Sequence, residues 1–143
     1  MGRTVDEIHR PVHRYDFELA RRVNSYFTNL KPGSAGMRSN WFFHPDAELF
    51  APRRRSVPAE PSAATDVATR LWLRSERQLL AKLAATGTLL FAIRTRQIRL
   101  DELADRADLR AGLAQHLRAC PPRLVEHRGV GWCIEPLLEW LDR

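Results

Sequence analysis

The feature that most constrains the fold is the apolar segment from Thr88 to Thr95, which follows the turn signal Gly87. Its leucine, phenylalanine and isoleucine side chains favour an extended strand, and they fall on both faces of it. Strands that are apolar on both faces belong in the middle of a sheet, so we expect this one to be central. Leu71 to Arg77 predicts a neighbouring strand, while Gln78 to Ala85 is compatible with a continuation of that strand or with a helical turn.

A third strand is indicated by the alternation of side chains between residues 37 and 44. Period-two alternation is typical of a strand. It places Met37, Ser39, Trp41 and Phe43 on one face and Arg38, Asn40, Phe42 and His44 on the other.

Helical signals flank these strands. Thr4 and Glu7 have the spacing of a capping box, which predicts a short helix that carries His9 near its end and stops at Pro11. Asp16 is expected to cap a second helix. Apolar residues at helical spacing predict helices over residues 17–27, 109–117 and 134–141. The predicted fold class is therefore α+β, with two or three antiparallel strands flanked by about four helices.

A long connection over residues 45–69 separates the first two strands. It contains Pro45, Pro52, Pro58 and Pro61 together with the arginine triplet Arg53 to Arg55. Such a composition predicts a flexible loop, and a functional lid is the alternative.

Composition limits the class of protein. The chain has 143 residues, which suits a single domain, and 44% of them are hydrophobic, enough for a core. The net charge is +6, but the arginines are scattered apart from one triplet, so we expect no nucleic-acid partner. No apolar run reaches the ~18 residues of a membrane span, and the amino terminus lacks a signal-peptide pattern, so we expect a cytoplasmic protein with no membrane contact. Cys120 and Cys133 cannot form a zinc site by themselves.

Four stretches of the sequence occur in the same order as in a known family. They read Asp6-Glu7-Ile8-His9-Arg10-Pro11-Val12, Arg38-Ser39-Asn40-Trp41-Phe42-Phe43-His44, Leu73-Arg74-Ser75-Glu76-Arg77-Gln78, and Gly87 through Thr95. In these stretches the chain resembles the carboxy-terminal half of the haem-dependent oxidative N-demethylases. The resemblance implies a PAS-like haem fold with a small antiparallel sheet flanked by helices. It also implies oxygen-dependent chemistry on secondary amines, which yields a demethylated amine and formaldehyde.

The resemblance has consequences for partners. Electrons in that family come from a flavin and iron–sulfur reductase system, and because this sequence has no flavin motif or cysteine cluster, a reductase or ferredoxin in trans is expected. Family members carry a further segment before the position of Gly2, so apolar sheet surface should be exposed here and we expect a homodimer. The chain departs from the family pattern at His13, at Arg96 and at His127-Arg128-Gly129.

Haem iron needs an axial ligand, and imidazole is a common protein donor. The resemblance favours His9, which lies near the end of the first predicted helix and is stiffened by Pro11. His44 is the second choice, as the iron ligand or as a hydrogen-bond donor on the distal side. A purely structural histidine is the alternative for both.

Four further residues complete the predicted site. Arg77 and Arg94 lie on neighbouring predicted strands and are expected to bind the haem propionates, because arginine can grip a carboxylate with two parallel hydrogen bonds. An internal salt bridge, such as Glu76 with Arg94, is the alternative. Arg38 is expected to contact the cofactor. Glu76 and His44 are expected to line the distal side as catalytic groups, with a strand-edge ion pair as the alternative for Glu76.

The sequence therefore predicts one haem-binding, PAS-like domain over residues 1–143. We expect it to bind haem b and to oxidise an amine or other nitrogen-bearing small molecule, as a monooxygenase or a peroxide-using enzyme. A non-catalytic haem-binding or sensor module, or a subunit of a larger oxygenase, is the alternative.

Overall fold

The computed structural model describes residues 2–9, 17–50 and 64–143. Within these ranges the elements, in chain order, are α1 (Val5–His9), α2 (Phe17–Asn29), β1 (Ala35–His44), α3 (Ala64–Arg70), β2 (Trp72–Lys82), β3 (Leu89–Arg99), a 3-10 helix (Leu100–Leu103), α4 (Ala107–Ala119), α5 (Pro122–His127), a second 3-10 helix (Gly131–Cys133) and α6 (Ile134–Leu141). The predicted α+β class is confirmed.

Helix α1 begins with the predicted capping box. The Glu7 amide donates to the Thr4 hydroxyl over 3.2 Å, and the Thr4 amide donates to the Glu7 carboxylate over 2.7 Å. These reciprocal bonds satisfy two amides that a helix start leaves unpaired. Three predictions concern residues outside the described ranges. They are the helix stop at Pro11, the departure from the family pattern at His13 and the helix cap at Asp16.

The three strands form an antiparallel sheet in the order β1-β2-β3. The central strand is thus β2, and the prediction that the segment after Gly87 is central was wrong. β3 follows β2 through a tight turn, in which the Gly87 amide donates to the Leu83 carbonyl. Among the described residues no strand pairs with the other edge of β3, and Leu90, Phe91 and Ile93 stay about half exposed at 48%, 52% and 49%.

Hydrogen bonds at both ends of the β2–β3 hairpin give a single register. The Leu83 amide donates to Thr88, and the Leu100 amide donates to Leu71. Both bonds belong to the same antiparallel alignment, in which Arg77 lies opposite Arg94 and Arg74 lies opposite Gln97. Residues directly opposite in such a pair project from the same face of the sheet.

The register of β1 against β2 is set by a bulge at Gly33. The Gly33 amide donates to the Lys82 carbonyl over 2.7 Å, and the Lys82 amide donates to the Ser34 carbonyl over 3.0 Å. Gly33 has φ +79°, a conformation that glycine adopts at no steric cost. The alignment that follows places Arg38 opposite Gln78, and the Arg38 Nε donates to the Gln78 Oε1 over 2.6 Å. Farther along, it places Asn40 opposite Glu76.

The chain divides into two compact units, residues 1–38 with 78–93 and residues 39–77 with 94–143. Each strand contributes one end to each unit. The second unit contains a hydrophobic core in which α3 packs against α6 and α4 against α6. Its largest fully buried side chains are Val67, Leu71, Leu100, Leu117, Val130, Cys133 and Leu137. Burial there raises the pKa of the Cys133 thiol to about 12, so the thiol stays neutral.

Two helices were not predicted from the sequence. Residues 64–69 were assigned to the long loop, and the structure places them in α3, whose Val67 and Ala68 are buried in the core. The second unpredicted helix, α5, starts at Pro122. Proline ends a preceding helix, but it is also well tolerated in the first turn of a new one. The undecided segment after Arg77 continues β2 as far as Lys82. No helix among the described residues is long and apolar enough to cross a membrane.

Candidate functional site

In the second unit one face of the sheet carries partly buried polar side chains. Alternation along the three strands brings Asn40, Glu76 and Thr95 into one row, and places Arg74 beside Gln97 in the next. We call these five residues the polar face. The side chains of Arg74 and Glu76 are each only 14% exposed. Asn40, Thr95 and Gln97 are half-buried.

Arg74 and Gln97 each have a buried nitrogen without a hydrogen-bond acceptor among the described residues. The Arg74 guanidinium forms an ion pair with Glu76, and its Nη1 donates to the Leu49 carbonyl over 3.0 Å. Its Nε lies 3.3 Å from the Glu76 Oε1 but makes no hydrogen bond to it. The Gln97 Nε2 is also buried and unbonded. A buried donor without an acceptor costs about 1–3 kcal/mol, so this arrangement fits a site that receives oxygen atoms from a ligand.

The opposite face of the same strands has a different character, and we call it the core face. Near its base Phe43 is buried, and Trp41, Leu73 and Ile98 pack against the hydrophobic core. Farther along the strands the core face carries the exposed residues Ser39, Ser75, Arg77, Arg94 and Arg96.

The structure therefore brings Arg77 and Arg94 together, as cross-strand neighbours, but on the face opposite to Glu76. Both arginines are exposed. Arg94 lies in the segment that was expected to form the central strand, and because β3 is at the edge of the sheet instead, its side chain is exposed. Within the part of the chain that the structure describes, Glu76 forms an ion pair with Arg74, two residues away on β2.

His44 ends β1, is half-buried and projects from the same side of the sheet as the polar face. In the β1–β2 register it lies opposite Trp72, four residues from Glu76. At about 3.3 Å per residue the two side chains are separated by roughly 13 Å along the strands. They therefore cannot both contact one reacting atom.

His9 and Arg38 belong to the first unit. His9 lies at the end of α1, half-buried, with its Nδ1 2.8 Å from the Val5 carbonyl oxygen. In the tautomer that donates this bond the ring lone pair is on Nε2, which is the usual arrangement of a metal-binding histidine. The Arg38 Nε donates to Gln78, whose side chain is 7% exposed.

Arg128 is a half-buried cation that the sequence reasoning did not identify. Its guanidinium lies 4.2 Å from the centre of the Trp41 ring, and its Nη1 donates to the Asn40 Oδ1 over 3.0 Å and to the Trp41 carbonyl. Burial lowers the pKa of Arg128 from its ordinary value. Through Asn40 it touches the polar face. The available signal was that residues 127–129 depart from the family pattern.

The loop that carries Arg128 is held against β1 by a backbone hydrogen bond and a ring contact. The Phe43 amide donates to the Arg128 carbonyl over 2.8 Å, and the His127 ring contacts the Phe42 ring with centres 5.8 Å apart. The His127 side chain is half-buried. A Cβ on residue 129 would lie only 2.5 Å from the Phe43 oxygen. The loop can approach β1 this closely because glycine has no Cβ.

The described residues include side chains of the types that can hold a haem. No group of three or more histidine, cysteine or acidic side chains that could hold a bare metal ion occurs among them. Haem brings its own four nitrogen ligands, so the protein has to supply an axial donor and groups that bind the propionates. His9 and His44 are imidazole candidates, and the unbonded nitrogens of Arg74 and Gln97 suit a carboxylate.

Comparison with known families agrees with this chemistry. A family model described as "Haem-dependent oxidative N-demethylase, alpha subunit-like" matches residues 1–138, nearly the whole chain. The resemblance that four short stretches indicated is confirmed over that full range. The chain belongs to the haem-dependent oxidative N-demethylase alpha-subunit-like family.

Proposed function

We propose that the protein binds haem b and oxidises an amine or other nitrogen-bearing small molecule. Family membership supports haem and oxidative chemistry at nitrogen. The observation that carries the proposal is the polar face, where Glu76 and Arg74 are each only 14% exposed and two buried donors lack acceptors among the described residues. Polar groups kept out of water without a partner are costly, and enzymes keep them where a reaction needs them.

Each predicted residue has a distinct task in this proposal. His9 would provide the axial imidazole, supported by the bond between its Nδ1 and Val5, and His44 is the second choice. The bound haem would supply the oxidising chemistry. Glu76 would take up or deliver protons at its carboxylate oxygens, since the neighbouring Arg74 guanidinium holds that side chain in place. Arg38 stays a proposed cofactor contact.

The propionate assignment of Arg77 and Arg94 also stays a prediction. These residues project from the core face, while Glu76 projects from the polar face. A planar haem cannot lie flat against both faces of one sheet. The propionate and proton-transfer roles must therefore be tested separately.

A test of the function needs a spectrum and a turnover assay. We expect purified protein loaded with haem to give a Soret band that His9→Ala removes or shifts and that the exposed-residue control His116→Ala leaves unchanged. With peroxide as the oxidant, or a chemical reductant and oxygen, a panel of secondary and tertiary amines should release formaldehyde. Glu76→Gln and His44→Ala should each cut that rate at least tenfold with haem retained, about 1.4 kcal/mol of barrier.

The outcomes separate the alternatives. An unchanged spectrum in His9→Ala moves the ligand assignment to His44. Full activity in both Glu76→Gln and His44→Ala refutes their catalytic roles. A wild-type ferrous protein that forms a stable oxygen complex and oxidises no amine makes the haem-sensor function the better conclusion.

We propose two kinds of protein partner. Turnover with oxygen needs electrons, so a reductase or ferredoxin in trans is expected.

A homodimer is supported by β3, whose outer edge pairs with no described strand and whose Leu90, Phe91 and Ile93 are about half exposed. A second copy of the same strand could pair antiparallel across a twofold axis and cover them. Sedimentation should give the mass of two chains, and Ile93→Lys that of one. A wild-type protein that sediments as a single chain at micromolar concentration refutes the dimer.

A further inference from the structure

The starting point is the pair of unbonded nitrogens on the polar face. The Arg74 Nε and the Gln97 Nε2 are both buried and have no hydrogen-bond acceptor among the described residues. Arg74 and Gln97 are directly opposite each other in the β2–β3 register, so their Cβ atoms lie about 4.5–5.5 Å apart on one face of the sheet. Two unmet donors are therefore presented side by side.

The geometry suits a ligand with two acceptor oxygens on one planar group. Arg74 already uses its Nη1 on the Leu49 carbonyl, which anchors the guanidinium and leaves the Nε edge for another acceptor. A carboxylate offers two oxygens in one plane, and arginine recognises it better than any other side chain does. A single carbonyl oxygen would satisfy one of the two donors.

The charges nearby explain why a second donor is needed. The Glu76 carboxylate lies 3.3 Å from the Arg74 Nε, so it offsets part of the attraction that Arg74 exerts on an incoming anion. The Gln97 amide carries no charge to be offset, and its N–H adds a directional bond. Recognition by Arg74 alone would therefore be weak beside Glu76.

We propose that Arg74 and Gln97 form a carboxylate-binding pair on the polar face. The carboxylate belongs to a haem propionate or to a small-molecule substrate, and the propionate form rests on the proposed haem function. Arg77 and Arg94 contrast with this pair because both are exposed, so water can satisfy their donors and no ligand is required to do so.

Gln97→Met is the central variant, because methionine matches the length of glutamine and carries no amide. It should raise the unfolding temperature of the full chain prepared without haem, since an unmet buried donor is removed. If Gln97 instead made a stabilising hydrogen bond within the protein, its replacement by methionine would lower the unfolding temperature. Gln115→Met is the matched control, because Gln115 is exposed on α4 and its replacement should leave the unfolding temperature and ligand affinity unchanged.

The first arm of the experiment tests the propionate source. Haem and its dimethyl ester, which lacks carboxylates, are titrated into the full chain and binding is followed at the Soret band. Wild type should bind haem at least tenfold more tightly than the ester. Gln97→Met and Arg74→Met should bring this ratio close to one. If Arg94→Met removes the preference instead, the carboxylate lies on the core face and the proposal is overturned.

The second arm tests a free carboxylate. Sodium acetate should raise the unfolding temperature of wild type above that in sodium chloride at equal ionic strength, and Gln97→Met should lose this difference. An acetate effect together with equal affinity for haem and its ester supports the substrate form of the proposal. A haem-to-ester ratio and an acetate effect that are both unchanged in Gln97→Met and Arg74→Met refute the pair. If wild type gives no Soret band but shows the Gln97-dependent acetate effect, the haem function fails and the carboxylate pair stands.

Discussion

The two faces of the sheet in the second unit are built from alternate residues of the same three strands, yet their side chains differ in burial and in hydrogen bonding. The core face buries Phe43 and packs Leu73 and Ile98 against the helices, and its remaining polar residues reach water. The polar face keeps Arg74 and Glu76 largely out of water and leaves donors unmet. The first arrangement stabilises the fold, while the second costs stability unless a ligand supplies the missing acceptors, as we propose.

This difference shows that the face from which a residue projects matters more than the strand on which it lies. Arg74 and Arg77 are three positions apart on β2 and project from opposite faces. Glu76 contacts the first of them over 3.3 Å. A one-residue error in assigning the face would exchange the predicted anion-binding and surface arginines.

The largest expected effect compares two adjacent phenylalanines. Phe43 on the core face is 3% exposed, so Phe43→Ala should lower the free energy of unfolding by about 3–5 kcal/mol. Phe42 projects from the other face and is half-buried beside the His127 ring, so Phe42→Ala should cost about 1–2 kcal/mol. Urea unfolding of both variants gives the two values. Equal losses would mean that the polar side of the sheet contributes to the core as much as the core face does.

An intermediate effect on the free energy of unfolding is expected at Gly129, in the loop that is hydrogen-bonded to β1. Gly129 has φ +86°, and a Cβ there would lie 2.5 Å from the Phe43 oxygen, so Gly129→Ala should destabilise by about 1–3 kcal/mol. Gly112→Ala is the matched control, because Gly112 lies in α4 with nothing near its absent Cβ and alanine there should stabilise by about 0.5–1 kcal/mol. Thermal unfolding distinguishes them. A Gly129→Ala protein as stable as wild type would show that this contact does not hold the edge of β1.

The smallest effect concerns the exposed arginines of the core face. Arg94→Thr removes a positive charge opposite Arg77 and introduces a residue that favours strands. We expect a gain of about 0.2–1 kcal/mol that shrinks as salt is added, because exposed charges are screened. Unfolding at low and high ionic strength measures it. A salt-independent loss of stability would show instead that Arg94 makes a stabilising contact, and would weaken the contrast between the faces.

Local sequence signals predicted much of the fold. The capping box of α1, the alternation in β1 and the helical spacing in α2, α4 and α6 each predicted the element that the structure contains. These signals succeed because they depend on neighbours within one or two turns. Helix α3 was not predicted, because its burial depends on contacts with α6, far along the chain.

The candidate site was predictable in its residue types but not in its arrangement. The sequence proposed roles for Glu76, His44 and His9, which stay predictions, and it placed Arg77 and Arg94 on neighbouring strands, as the sheet order confirms. It did not identify Arg74, Gln97 or Arg128, whose unbonded nitrogens are visible only when burial is known. No local pattern marks an arginine whose Nε lacks an acceptor.

By itself, then, the sequence determined the family, the α+β class and the alternation that sorts the residues of β1 into two faces. Only the tertiary structure decided that β2 is central, that β3 is at the edge and which face holds the unmet donors. The physical reason is that alternation is a property of one strand, whereas strand order and the burial of a polar atom depend on contacts between residues far apart in the chain.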